Sequence, residues 1–230
     1  MAATLVLVPG LLCDETVWQP LIAALPEGVQ YHVARIDTQE TIPDMARDTL
    51  AAVEGPLMVA GHSLGGRVAL EMWRQAPERI ERVALLDTGV HPFVEGEQIK
   101  RLQRVQMAHD KGMQALADNW LPPFVHAPNR ADTAMMAALT EMVLRKTPEI
   151  HERQIMALIN RPDASAVLAT IDVPALVLTG EHDTWSPPHQ HREIADAIPD
   201  AELVIVDDAG HFCPLEKPEV VTAALLKWMG

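Results

Sequence analysis

The sequence predicts an α/β fold: a mostly parallel sheet of about six strands, with helices on both faces and an inserted helical segment. Three observations carry that expectation. Short apolar segments alternate with segments of helical periodicity. Glycines and polar residues able to do chemistry fall just after several of the apolar segments. One long stretch then breaks the alternation with helical patterns alone.

Residues 4–8 are apolar, partly β-branched, and stop at Pro9-Gly10, which reads as a buried strand. A helix is expected over 16–25, with Val17, Leu21, Ala24 and Leu25 on one side and Pro26 closing it. Residues 31–34 predict the second strand and 42–53 the second helix. Residues 57–60 predict a third strand that runs straight into Gly61. The helix after Ser63 carries a face of small residues and a methionine, Gly65, Ala69, Met72 and Ala76, before Pro77. Further strands are expected over 83–86, 175–179 and 203–206, with helices over 190–197 and 218–228. From about 91 to 169 the spacings of Ile99, Leu102 and Gln106, and of Met135, Leu139 and Met142, are helical throughout. An insertion of that length between two sheet strands is expected as a cap over the sheet's rim, on a single domain spanning 1–230.

Parallel sheets place ligands beyond the carboxyl ends of their strands, so Gly10, Ser63, Asp87, Asp183 and His211 are expected to gather at one rim. Gly61-His62-Ser63-Leu64-Gly65 matches G-x-S-x-G, a sharp strand-to-helix turn that projects a serine hydroxyl. A hydroxyl is a weak nucleophile until a base takes its proton. His211, in the loop after the last strand, suits that role because imidazole titrates near neutrality. Asp183 would accept from the imidazole and hold its tautomer. Asp87, Asp207 and Asp208 are its rivals; the chain order Ser, Asp, His favours Asp183, and Asp87 is expected to be structural, satisfied by backbone N–H groups. Two amides should stabilise an oxyanion: Leu64, directly after the serine, and Leu11, aimed inward by the turn at Gly10. Of the other histidines, His189 and His191 are expected at the surface, and His62 and His182 to point away from the reaction. His109, His126 and His151 lie in the cap, where any one could reach substrate. No Cys/His spacing resembles a metal-ligand set, so neither metal nor cofactor is expected.

Composition narrows the partners. The net charge of −14 argues against nucleic acid or anionic lipid, leaving a small-molecule substrate. No apolar run is long enough to span a bilayer. The chain lacks a basic residue before Arg35, and the large Leu12 before Cys13 argues against a lipoprotein signal. A cytoplasmic location and two free thiols, Cys13 and Cys213, both near the rim, are the consequent expectations.

These segments together resemble the α/β-hydrolase superfamily over nearly the whole chain. Val8-Pro9-Gly10-Leu11-Leu12 with Trp18 looks like the family's oxyanion loop, with Pro9 where histidine is common. Gly61-His62-Ser63-Leu64-Gly65-Gly66 through Pro77-Glu78-Arg79-Ile80 is similar to its elbow and helix. Gly180-Glu181-His182-Asp183 and Gly210-His211, with Glu216 and Pro218-Glu219 following, resemble its acid and histidine loops. The resemblance implies acyl chemistry through a covalent Ser63 intermediate. A serine at the elbow disfavours the dehalogenase and epoxide-hydrolase subgroups. Carboxylic ester hydrolysis leads. Thioester hydrolysis, acyl transfer, C–C bond hydrolysis and perhydrolysis could use the same groups, and a small-molecule receptor of this fold is the alternative from another class.

Within 91–169, Met107, Met113, Met135, Met136, Met142 and Met156 supply adaptable apolar side chains, either as a substrate surface or as packing between helices. Trp120 and Phe124 flank Pro122-Pro123 and are expected to contact substrate. The resulting pocket is expected to accept short or medium apolar acyl groups and to reject charged ones.

Overall fold

The computed structural model describes residues 2–230. Six strands, β1 (Thr4–Val8), β2 (Tyr31–Val33), β3 (Leu57–His62), β4 (Ile80–Leu86), β5 (Ala175–Gly180) and β6 (Glu202–Val206), form one sheet in the order β2-β1-β3-β4-β5-β6. Every neighbouring pair is parallel. The four central strands are almost wholly apolar and buried over most of their length, as a sheet covered on both faces requires. Strand order reverses between β1 and β3, so the loops leaving these two strands diverge. Such a switch point opens a crevice at the sheet's carboxyl edge, and Gly10 and Ser63 stand on its two sides.

Helices α1 (Gln19–Ala24), α2 (Ile42–Ala52), α3 (Leu64–Gln75), α8 (Pro188–Ala197) and α10 (Pro218–Met229) lie near their expected positions; α9 (Cys213–Glu216) is a single extra turn after His211. The segment expected as one helix over 16–25 instead begins with a 3-10 turn, Glu15–Trp18, capped by the Asp14 carboxylate on the Thr16 amide at 2.9 Å. Pro20 explains the break. It has no N–H to bond the Thr16 carbonyl, so an α ladder cannot run through it, whereas the first turn of a new helix tolerates it. β4 starts at Ile80, earlier than expected, because exposed Glu81 and half-buried Arg82 disguise the strand's solvent end.

Between β4 and β5 the chain forms α4 (Glu97–Trp120), α5 (Thr133–Leu144), α6 (Pro148–Ile159) and α7 (Ser165–Leu168), with no strand. Gly112, at φ 81° and ψ 171°, interrupts α4 with a kink. The buried face of α4 is Arg101, Val105, Ala108, Leu116, Ala117 and Trp120. The face expected from apolar spacing is wrong, since Ile99 and Leu102 are exposed. Charged residues turn inward here because they meet partners and a cavity, described below. The insertion is tied to the core by polar contacts. Gln154 on α6 accepts from the Leu12 amide at 2.8 Å and donates to the Ile36 carbonyl at 3.0 Å, all buried. Lys146 pairs with Asp37 at 2.8 Å and Arg145 with Asp14 at 2.8 Å. No described helix is long and apolar enough to cross a membrane.

Candidate active site

The turn from β3 into α3 holds Ser63 at φ 56° and ψ −115°, a backbone region that non-glycine residues rarely occupy. Close packing allows it. A Cβ on Gly61 would come 2.2 Å from the Gly65 carbonyl oxygen, and one on Gly65 2.0 Å from that of Val8. Only glycine at both positions lets β3, the start of α3 and the end of β1 meet. Ser63 is thereby delivered at the end of the helix that carries positive partial charge.

Across the rim, the Ser63 hydroxyl lies 2.9 Å from His211 Nε2, and His211 Nδ1 lies 2.7 Å from Asp183 Oδ2. The carboxylate can only accept, so Nδ1 carries the proton and Nε2 is left to receive one from Ser63. The other oxygen of Asp183 accepts from the amides of Trp185 at 2.8 Å and Ser186 at 2.9 Å, which orients the carboxylate. Burial works to raise the Asp183 pKa, but the His211 charge and these hydrogen bonds outweigh it and hold the carboxyl below its usual range. Burial likewise opposes charging His211, and the Asp183 carboxylate prevails, leaving the imidazole more basic than usual.

Neither the Leu11 nor the Leu64 amide donates to another backbone carbonyl among the described residues. The neighbouring Leu12 amide is already committed to Gln154. Leu11 and Leu64 line the same cavity as Ser63, and no partner engages either amide among the described residues. That arrangement suits an oxyanion.

Asp87 is wholly buried behind these groups. Its Oδ1 accepts from the Gly180 amide at 3.0 Å and the Thr179 hydroxyl at 3.1 Å, and its Oδ2 accepts from the Cys213 thiol at 2.7 Å. Burial, reinforced by the nearby Asp183 charge, pushes its pKa up to about 8. Asp87 therefore bonds side chains as well as the backbone, and it makes no hydrogen bond to His211. His62 is also buried, and its Nε2 donates to the His211 carbonyl at 2.8 Å; burial drives its pKa down to about 3, so it stays neutral. Its ring thus braces the loop that carries the base.

The expectation that His191 lies at the surface is incorrect. It is fully buried, with Nε2 accepting from the Thr88 amide at 3.0 Å, and it joins α8 to the loop after β4. His182 turns outward and stacks on His126, with ring centroids 4.0 Å apart and planes 9° apart. These two rings and Asp208 hold ligand atoms within 4.8 Å of one another. Parallel imidazoles direct their lone pairs in parallel planes, however, so a metal would need both rings to turn. Cys13 and Cys213 are both free and buried.

A cavity of about 300 Å³ opens over Ser63. Trp120 and Phe124 are among the residues that line it. Phe124 packs edge-on to the His211 ring at 5.1 Å between centroids, and its carbonyl accepts from the His211 amide at 2.7 Å. None of the six methionines of the insertion lines this cavity, and four arginines do: Arg67, Arg101, Arg104 and Arg161. The lining is thus not uniformly apolar, contrary to the expectation of an apolar pocket. Apolar and cationic side chains share the lining. Trp185, also on the wall, was not singled out by sequence; its place two residues beyond Asp183 was the available signal. Arg101 lies over its ring, 5.0 Å from the centroid.

Residues 5–224 match the family model described as the alpha/beta hydrolase family. The chain is 26% identical to a thermophilic esterase from Thermogutta terrifontis, covering 100% of this chain and 90% of that one at a TM-score of 0.90. It is also 26% identical to the enol-lactonase from Burkholderia xenovorans LB400, covering 100% and 92% at a TM-score of 0.88. A Mycobacterium tuberculosis protein provisionally named non-heme bromoperoxidase BpoC is 29% identical over 210 residues, 82% of this chain and 75% of the relative.

Proposed function

Because the chain belongs to the alpha/beta hydrolase family, we propose that it hydrolyses small carboxylic esters through a Ser63 acyl-enzyme. The observation that carries this reading is the contact of Ser63 Oγ with His211 Nε2 at 2.9 Å, continued from His211 Nδ1 to Asp183 at 2.7 Å. An esterase and an enol-lactonase among the similar structures support ester chemistry.

In the mechanism that this geometry supports, the Ser63 hydroxyl gives its proton to His211 as its oxygen attacks the ester carbonyl. The negative charge that develops is met by the Leu11 and Leu64 amides, preorganised donors that need not reorient during the step. His211, now charged and stabilised by Asp183, protonates the departing alcohol as the tetrahedral species collapses to acyl-Ser63. Water then enters and gives a proton to His211 as its oxygen attacks the acyl carbon. The second tetrahedral species collapses by breaking the bond to Ser63 Oγ, which takes the proton back from His211 as the acid departs. Trp120 and Phe124 take the hydrocarbon part of the substrate.

Two measurements test this. Wild type and Ser63→Ala are assayed against a panel of esters, thioesters and activated acids, and are treated with a fluorophosphonate probe. Wild type is expected to label at Ser63 and to turn esters over repeatedly, and Ser63→Ala to lose on the order of 10⁴-fold or more in rate. Labelling of Ser63→Ala at the wild-type rate would reject the nucleophile, and slow single turnover with a large ligand-induced rise in stability would favour a receptor.

A further inference from the structure

The chain carries a net charge of −14, yet four guanidinium groups and a single carboxylate, Glu97, line the cavity over Ser63. Glu97 accounts for two of the four. Its carboxylate accepts from Arg101 Nε at 2.9 Å and from Arg161 Nη2 at 2.7 Å, and Arg161 is further bound to the carbonyls of His91, Pro92 and Leu158. Arg67 and Arg104 form no ion pair among the described residues. Arg67, on α3 one turn beyond Ser63, donates only to the His91 carbonyl at 3.0 Å. His151, on the same cavity wall, is fully buried, and neither of its ring nitrogens has a partner. Arg67 and Arg104 are half-buried without a counter-ion, and the ring nitrogens of His151 are fully buried without a partner, which is costly. In one cavity they mark a place where a polar, negatively charged group completes the site.

We propose that this cavity binds esters carrying a second, ionised carboxylate, held by Arg67 and Arg104, the half-esters of short dicarboxylic acids being the simplest such substrates. The proposal rests on Ser63 being the nucleophile of an esterase. A guanidinium accepts a carboxylate in a planar, two-bond fit. The chain's overall negative field opposes the singly charged half-ester about half as strongly as a dianion, which favours a half-ester over a doubly charged phosphate monoester as substrate. The same lining includes Trp120, Phe124, Ile155 and Leu158, an apolar surface for a few methylenes linking the two ends of the substrate. Burial, with Arg161 and Arg101 nearby, drives the Arg67 pKa down to about 9. Burial also lowers that of Arg104. A bound anion reverses both penalties.

The test compares monoethyl with diethyl esters of succinic, glutaric and adipic acid at low ionic strength, in wild type, Arg67→Gln and Arg104→Gln. Wild type should favour the half-ester by about tenfold or more in kcat/KM, and each substitution should reduce that preference about tenfold, mainly through KM, the loss expected of one hydrogen bond to a charged group. Equal treatment of half-ester and diester by wild type, or an unchanged preference in both variants, overturns the proposal. Calorimetric titration of wild type with glutarate needs no turnover and decides the matter if the variants fail to fold. Saturable binding that weakens with added salt supports the site, and none at millimolar glutarate overturns it. Inorganic phosphate binding more tightly than glutarate would overturn the choice of carboxylate. Glutarate binding without ester turnover would reject the esterase reading while leaving the anion site standing; turnover of neutral esters without half-ester preference would do the reverse.

Discussion

Replacing Asp183 by asparagine keeps the shape of the site and reverses one hydrogen bond. The amides of Trp185 and Ser186 donate to Asp183 Oδ1 at 2.8 and 2.9 Å. In Asp183→Asn the amide oxygen must stay there to accept them, which turns the side-chain NH2 toward His211 Nδ1. That nitrogen must then accept, so the proton moves to Nε2, the atom that faces Ser63 at 2.9 Å. His211 can no longer take the serine proton without discarding its own. The wrong tautomer costs on the order of 10⁴ in kcat, about 5 kcal/mol of transition-state stabilisation. Loss of the carboxylate also removes what makes His211 more basic. In wild type the acid limb of kcat/KM should lie above the ordinary histidine value of 6.5, because activity falls as pH drops through the raised His211 pKa. In Asp183→Asn the limb should move to lower pH. The assay is kcat/KM for a small neutral ester across the pH range, with the rate of fluorophosphonate labelling as an independent measure. A loss under about tenfold, or a larger loss in Asp87→Asn than in Asp183→Asn, would refute the tautomer argument and move the acid to Asp87.

Asp87→Asn should change stability more than turnover. Its folded pKa stands raised from 3.8 to about 8, so its contribution to stability is complete below 3.8 and lost as pH rises through about 8. The wild-type Tm should therefore fall relative to that of Asp87→Asn between about pH 5 and pH 8; a constant difference would contradict the assignment, since His62, Asp183, His211 and Cys213 face residue 87 in both proteins. Trp120→Ala should lower stability by about 3–5 kcal/mol, as truncation of a buried tryptophan does, and shift the preferred acyl length, whereas an equal loss in kcat/KM for every acyl length would assign Trp120 to packing alone. Thiol titration of unfolded, unreduced protein should count two free thiols, one at each cysteine.

The parallel sheet was legible because its evidence is local. Each central strand is an apolar run ended by glycine or a polar residue, and alternation with helices leaves few other folds. The same locality explains the errors at element edges. Glu81 and Arg82 are read as loop because their exposure ends before the strand does, and Pro20 divides a helix whose apolar spacing gives no sign of the break. Ser63, His211 and Asp183 were legible for a related reason. Each follows a strand, and the carboxyl edge of a parallel sheet brings together whatever follows its strands.

The walls of the cavity were harder, because what decides them is not local. Glu97, Arg101 and Arg104 fall on one helical face, and a row of charges at that spacing ordinarily reads as a solvated surface. The apolar residues Ile99 and Leu102 then mark the wrong face as buried. What inverts the helix is Arg161, distant in sequence, which reaches Glu97 at 2.7 Å and lets the carboxylate turn inward with Arg101. His191 was misread in the same way, since the amide that satisfies it belongs to Thr88 on the other side of the insertion. In both cases a polar residue is buried because its partner arrives from another segment, and hydrophobic periodicity carries no information about such partners. The charged face of α4 is therefore where a reading from apolar spacing must fail, and it is also the face that meets the cavity over Ser63. That coincidence has a physical basis. Burying ionised groups is tolerated only where they are paired or await a ligand, so the residues that defeat the periodicity argument are those that give the cavity its charge.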